Sequence, residues 1–248
     1  MRDGWVDIGG RRLHLICTGS GRPTVVLEAG LGDTAATWAK VQPVLEQFTA
    51  VCSYDRAGLG QSESAPTPRT VRNLMADLRA LLCNALLVGP FILVGHSYGG
   101  QIIRLFAAQY PADVLGLVLV DPSHEDKYDR FESVLSPDLI TRQNQFLADP
   151  TRNSEGIDLL TSRTQMQAAR LLPQPLIVLT RGLPDAPSPV WPSAALQGIE
   201  RELQGELARL SPQGRQIMAA ASGHFIHHDQ PDLVIAAVRE ILGLPAVA

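Results

Sequence analysis

"FILVGHSYGG", residues 91–100, sets four apolar residues directly against a Gly-x-Ser-x-Gly pentad whose serine, Ser97, follows a histidine. A bare pentad of this kind turns up by chance in many chains, so its surroundings decide what it means. Upstream, "TVRNLMADLRALLCNALL" (70–87) spaces Val71, Leu74, Met75, Leu78, Leu82 and Ala85 along one face, the pattern of an amphipathic helix. Downstream, "QIIRLFAAQY" (101–110) keeps helical spacing and stops at Pro111, and "VLGLVLVD" (114–121) is a short apolar strand closing on Asp121. The order is helix, strand, serine turn, helix, strand.

The same alternation extends outward on both sides. "WVDIGGRRLHLICTG" (5–19) predicts a hairpin turning at Gly9 and Gly10, "TVVLEAG" (24–30) a buried strand, "TWAKVQPVLEQF" (37–48) a helix, and "AVCSYD" (50–55) a strand that runs into the glycine-rich loop "DRAGLGQS" (55–62). Beyond Asp121 the pattern breaks. Residues 122–175 are polar, interrupted by prolines and helical in spacing, as expected of a helical cap inserted between two core strands. Strand "PLIVLT" (175–180), a helix through 196–210, strand "RQIMAAA" (215–221), the loop "SGHFIHHDQP" (222–231) and a last helix (232–243) complete the chain. Strands alternating with helices predict an α/β fold, a mostly parallel, doubly wound sheet forming one domain over residues 1–248 with 122–175 as its cap.

Composition narrows the function classes. With 45% hydrophobic and 19% charged residues the 248-residue chain can bury a large core without staples. A net charge of -4, with no local lysine or arginine cluster, argues against nucleic acid as a partner. No run approaches the ~18 apolar residues of a membrane span, and the first residues lack the apolar stretch of a secretion signal. Cys17, Cys52 and Cys83, odd in number and set within apolar stretches, read as reduced structural thiols and hence point to a cytoplasmic protein. No cofactor motif is present.

In a parallel sheet, ligand sites form beyond the carboxyl ends of the strands, where Ser97 is expected. A serine on a tight strand-to-helix turn requires small residues two before and two after it, and Gly95 and Gly99 supply them. Taken together, "LVGHSYGG", "YDRAGLGQS" and "SGHFIHHDQP" resemble the nucleophile elbow, the Asp-x-x-Gly-x-Gly-x-Ser loop and the histidine loop of the α/β-hydrolase fold superfamily, over nearly the whole chain. The resemblance implies a serine hydrolase, esterase-like, cleaving carboxylic esters of small to medium, partly apolar substrates. Ser97 would be the nucleophile and His224 the general base. Of the other histidines, His14 and His96 read as packed or surface residues and His124, at the start of the cap, as solvent-exposed in preference to a substrate contact.

Two acids compete to orient His224. Asp185, in "TRGLPDAP", has the spacing common in the superfamily, whereas Asp121 occupies the strand end where relatives such as haloalkane dehalogenases carry theirs. Asp121 is preferred, since a strand end fixes a carboxylate better than a proline-rich loop does. The resemblance also implies oxyanion donors at the backbone N–H groups of Tyr98 and Leu31, the latter in a loop that has Ala29-Gly30 where the family often has His-Gly. Glu28 beside that loop reads equally as a brace or an ordinary strand-end carboxylate. The run His224, His227, His228 and Asp229 has no second ligand pair elsewhere, so no metal is expected. Phe131, Leu135, Leu139, Phe146 and Leu147 in the cap suit either an apolar pocket or the cap's own small core, the latter for at least half of them. Lactonase, thioesterase, proline iminopeptidase, carbon–carbon bond hydrolase and perhydrolase activities share the fold, and a small-molecule receptor on a hydrolase scaffold is the alternative from another class.

Overall fold

The structure, a computed structural model, describes residues 2–167 and 173–245. Strands β1 (Arg2–Asp7) and β2 (Arg12–Thr18) form the expected hairpin, with Gly9 and Gly10 both at positive φ in its turn. β3 (Thr24–Glu28), the short helix α1 (Gln42–Leu45), β4 (Val51–Tyr54), α2 (Val71–Asn84), β5 (Phe91–His96), α3 (Gly99–Gln109) and β6 (Val114–Val120) follow. Helices α4 (Lys127–Phe131), α5 (Pro137–Ala148) and α6 (Leu159–Met166) then precede β7 (Leu176–Arg181), α7 (Ser193–Ala208), β8 (Gly214–Ala219), α8 (Ile226–Asp229) and α9 (Pro231–Ile241).

The eight strands form one sheet in the order β1-β2-β4-β3-β5-β6-β7-β8; β2 runs antiparallel to both its neighbours, and all pairings from β4 to β8 are parallel. The central strands are apolar on both faces because both faces are covered. Val26, Leu93, Leu117, Leu119 and Val178 pack with α2 and α3, while Val25, Leu27, Ile92, Val94, Val118 and Val120 pack with Trp38, Leu45 and α9. This period-two division between two cores is what the uninterrupted apolar runs encode. The carboxyl ends of β3, β5 and β6 thereby open on one rim.

Three expectations require correction. The helix anticipated over 37–48 is broken into a 3-10 turn at Ala35–Trp38 and the four-residue α1, because Pro43 has no N–H to continue the ladder and is accommodated only in a first turn. Cys17 and Cys52 are joined in a disulfide and only Cys83 is a free thiol, so the inference from reduced thiols to a reducing compartment lapses. The antiparallel β2–β4 register sets Cys17 directly opposite Cys52, a proximity that their separation of 35 residues hides. The histidine loop, finally, contains a helical turn, α8. Helices α4, α5 and α6 lie where the cap is expected, and residues 168–172 of that segment lie outside the described residues. Among the described residues no helix is long and apolar enough to cross a membrane.

Candidate active site

Ser97 stands between β5 and α3 at φ +51°, a left-handed conformation that a non-glycine residue adopts at a cost. Its N–H donates to the Val120 carbonyl, pinning the turn to the end of β6. The flanking glycines are dictated by space: a Cβ at Gly95 would lie 2.8 Å from the Gly99 carbonyl oxygen, and one at Gly99 would lie 2.5 Å from that of Ala29. Larger residues at either position would push the turn off the strand ends.

Asp121, the residue after β6, is also at positive φ (+40°) and is almost completely buried. Its Oδ2 lies 2.6 Å from Nδ1 of His224, and its Oδ1 accepts hydrogen bonds from the Arg181 N–H at 3.1 Å and from Gln204 Nε2 at 3.0 Å. Burial works to raise the Asp121 carboxyl, but His224 and Arg181 outweigh it and hold the group below its ordinary value. Asp185 goes elsewhere. It is half exposed and forms a two-pronged pair with Arg181, at 2.7 and 3.0 Å. Arg181, whose guanidinium also lies 3.5 Å from Asp121, was not singled out in the sequence.

Ser97, Asp121 and His224 border one depression on the rim, together with Ser123 and Lys127. With Nδ1 committed to Asp121, Nε2 is the ring nitrogen of His224 left for proton transfer. Beneath His224, His96 is buried rather than turned to the surface, and its Nε2–H donates to the His224 carbonyl at 3.0 Å. Gly30 must be glycine for this ring to fit, since a Cβ there would fall 2.7 Å from His96 Nδ1. His227 and His228 both engage Thr37, at 2.7 Å through the Thr37 hydroxyl and at 2.9 Å through its carbonyl respectively. Burial against Trp38 and the other imidazoles pushes His227 down to about 2, so this ring is neutral. The histidine run is thus spent on anchoring its own loop. His14 is buried far along the hairpin, bonded to Asp3 at 2.8 Å.

The loop after β3 is held by a buried charge network that sequence reasoning missed. Arg56 donates to Glu28 at 2.6 Å, to the Ala29 carbonyl at 2.7 Å, to the Gly30 carbonyl, and to both oxygens of Glu155 at 2.6 and 2.8 Å. Glu155, between α5 and α6, in turn accepts from the Gly32 N–H at 2.8 Å. Glu28 is therefore a brace, bonded also to the Tyr54 hydroxyl. Burial raises the Glu28 carboxyl against the pull of Arg56, whereas Arg56 and the Gly32 amide more than offset burial at Glu155 and lower it. Arg56 was visible as the residue after Asp55 in the quoted loop; Glu155 carried no local signal. The Leu31 and Tyr98 amides make no hydrogen bond among the described residues, and both residues line the cleft beside Ser97.

That cleft runs from Ser97 under α4 and α6, where Leu147, Leu159 and Tyr128 form part of its wall. Of the five cap residues proposed for a pocket, only Leu147 lines it, while Phe131, Leu135 and Leu139 pack on each other as a small separate core. His124 is a correction: it lines the cleft rather than facing solvent, and burial lowers its pKa. Its Nδ1 accepts from the Asp126 N–H at 3.0 Å.

Comparison with known proteins gives the family. Residues 23–166 match the family model described as the alpha/beta hydrolase fold, more than half of the chain. The chain belongs to the α/β-hydrolase family. It is 30% identical over 234 residues to the uncharacterized protein YqjL of Bacillus subtilis, covering 90% of this chain and 85% of the relative. Among solved structures it is similar in fold to a thermophilic esterase from Thermogutta terrifontis (TM-score 0.66, 22% identity, 98% of each chain). It is likewise similar to the enol-lactonase from Burkholderia xenovorans (TM-score 0.66, 18% identity, 96% of this chain and 99% of that one). At such identities these two likenesses speak for the fold alone.

Proposed function

We propose that this α/β-hydrolase cleaves small carboxylic esters through an acyl-enzyme on Ser97. His224 takes the Ser97 proton as Oγ bonds to the acyl carbon, and gives it to the leaving alcohol oxygen as the ester's bond between that oxygen and the acyl carbon breaks. Water then repeats the cycle and releases the acid. Asp121 holds the imidazole and stabilises its charged form, and the Leu31 and Tyr98 amides stabilise the oxyanion. The segment between β6 and β7 serves as the cap.

The observation that carries this reading is the 2.6 Å contact between His224 Nδ1 and the buried Asp121, made beside a serine on a strained turn. An imidazole held by a buried carboxylate on a strand end is the arrangement general-base catalysis requires. The cleft, about 110 Å³, and the depression that shares Ser97 with it, about 240 Å³, together offer room for a small ester on either side of the serine. Lactones fit the same chemistry, because ring opening and ester cleavage share the acyl-enzyme step, so they belong beside esters in an assay panel.

The test is hydrolysis of p-nitrophenyl acetate and butyrate together with a set of small lactones. The wild-type protein turns over at least one of them, and Ser97→Ala reduces the rate to background. Turnover that survives Ser97→Ala removes the mechanism, and tight ligand binding without turnover would favour the receptor alternative.

A further inference from the structure

One charged side chain in the cleft wall has no carboxylate partner among the described residues. Six charged side chains lie in or against the cleft: Glu125 and Asp129, Arg163 with Asp126 behind it, Lys127 and, behind Glu125, the buried Arg104. All but Lys127 are engaged in ion pairs. Arg104 bonds both oxygens of Glu125 at 2.8 and 2.9 Å, drawing that carboxyl down to about 2, and Arg163 bonds both oxygens of Asp129. Lys127 remains. Among the described residues its Nζ has no carboxylate oxygen within 4.0 Å; it donates to the Ser123 hydroxyl at 3.3 Å and lies 4.9 Å from the centre of the Tyr128 ring.

The acids nearest on the other side are already engaged. Asp121 serves His224 and Arg181, and Glu200 bonds Arg181 at 2.5 Å. Lys127 is not neutralised by its surroundings either: burial works against the ammonium, but Tyr128, Glu200 and Asp121 outweigh it and keep the pKa above its ordinary value. The position is as telling as the charge. Lys127, Ser123 and Ser97 are common to the cleft and to the depression that holds Asp121 and His224, and the Ser123 N–H donates to the Ser97 carbonyl at 3.0 Å. A cation with no carboxylate in contact with it among the described residues therefore stands where the two recesses meet, beside the serine.

We infer that Lys127, with the Ser123 hydroxyl, binds a carboxylate carried by the substrate close to the bond under attack. The pocket then selects half-esters of dicarboxylic acids, or comparable carboxylate-bearing lactones, over neutral esters of equal length. An ammonium is a compact point charge that needs one such partner once water is displaced, and a charge-assisted hydrogen bond of this kind discriminates strongly against an uncharged isostere. This substrate class rests on the reading of Ser97 as nucleophile, but the anion site itself does not.

The test compares kcat/KM for mono-p-nitrophenyl glutarate and p-nitrophenyl valerate in the wild-type protein and in Lys127→Met, Lys127→Arg and Arg130→Met. The wild type prefers the anionic ester by about 10-fold to 100-fold, the discrimination expected of one hydrogen bond to a charged group. Lys127→Met collapses the ratio toward unity, Lys127→Arg retains much of it, and Arg130→Met, on an exposed face paired with Glu202 and Glu206, leaves it unchanged. In parallel, glutarate binding to Ser97→Ala is measured calorimetrically, with and without Lys127→Met. If the wild-type protein hydrolyses neither ester while Ser97→Ala binds glutarate in a way that depends on Lys127, the anion site stands and the serine mechanism falls. A preference for valerate, a ratio untouched by Lys127→Met, or glutarate binding that is absent or indifferent to Lys127 overturns the inference.

Discussion

At the scale of single residues, the orientation of His224 depends on how well its carboxylate is itself held. Asp121 is fixed on both oxygens, by His224 on one and by the Arg181 amide and Gln204 on the other, and solvent hardly reaches it. Asp185 stands half exposed on a loop and its charge is taken by Arg181. Asp121→Asn is therefore expected to lower kcat by about 10³- to 10⁴-fold, and Asp185→Asn by less than about tenfold, measured on the same ester at equal folded fraction. The reverse ranking would assign the role to Asp185. Ser97, His224 and both acids were legible in the chain because each lies at a strand end or in a loop quoted from the sequence. The strand end already favoured Asp121 over Asp185; what the sequence hid is Arg181, which takes the charge of Asp185 through a contact made only in three dimensions.

At the scale of elements, the loop after β3 is shaped from a distance. Arg56 ties its carbonyls to Glu28 beneath and to Glu155 above, and Glu155 also takes the Gly32 amide, which leaves the neighbouring Leu31 amide free. Glu155→Ala removes one of the two carboxylates that hold a buried guanidinium and frees the Gly32 amide, loosening this loop; kcat should fall by about 10- to 10²-fold with KM changed little, short of the loss of a whole oxyanion donor. A change in KM alone would mean that the loop only shapes the substrate pocket. The disulfide between β2 and β4 is the second device at this scale. Closing 35 residues, it should contribute about 3–4 kcal/mol by the loop-entropy argument, so Cys52→Ser or reduction should lower the melting temperature by several degrees. Thiol titration of the native protein should find one reactive group, Cys83, and three after reduction and unfolding. Strand periodicity made the sheet readable, whereas the register that pairs Cys17 with Cys52, and the path between α5 and α6 that brings Glu155 to Arg56, have no local trace in the sequence.

At the scale of the whole molecule, the histidine cluster packs the loop of α8 against the sheet and makes stability depend on pH. His227 is pushed down to about 2 and His96 is lowered as well, both chiefly by burial. Groups whose folded pKa lies below the unfolded value of about 6.5 bind protons preferentially in the unfolded chain as pH falls. Stability is then complete above pH 6.5 and declines below it, by about 1.4 kcal/mol per pH unit for each imidazole that stays neutral. Denaturant unfolding between pH 8 and pH 5 should show a plateau followed by this fall, and a flat profile would mean that the rings protonate in place. Glu125, held at about 2 by Arg104, adds a further loss between pH 4.5 and pH 2 that Glu125→Gln should remove. The doubly wound sheet itself was readable from alternating elements. The cost of its buried imidazoles was not, because a histidine's neighbours are set by how α8 folds back onto Thr37 and Trp38.

The central claim is that the hydroxyl of residue 97 is an activated nucleophile. Intact-mass and peptide analysis of the protein after a fluorophosphonate reagent measures this most directly. A single adduct on Ser97, absent in Ser97→Ala and formed far more slowly in His224→Ala, is the result expected. An unlabelled wild-type protein, or an adduct on another residue, would contradict it.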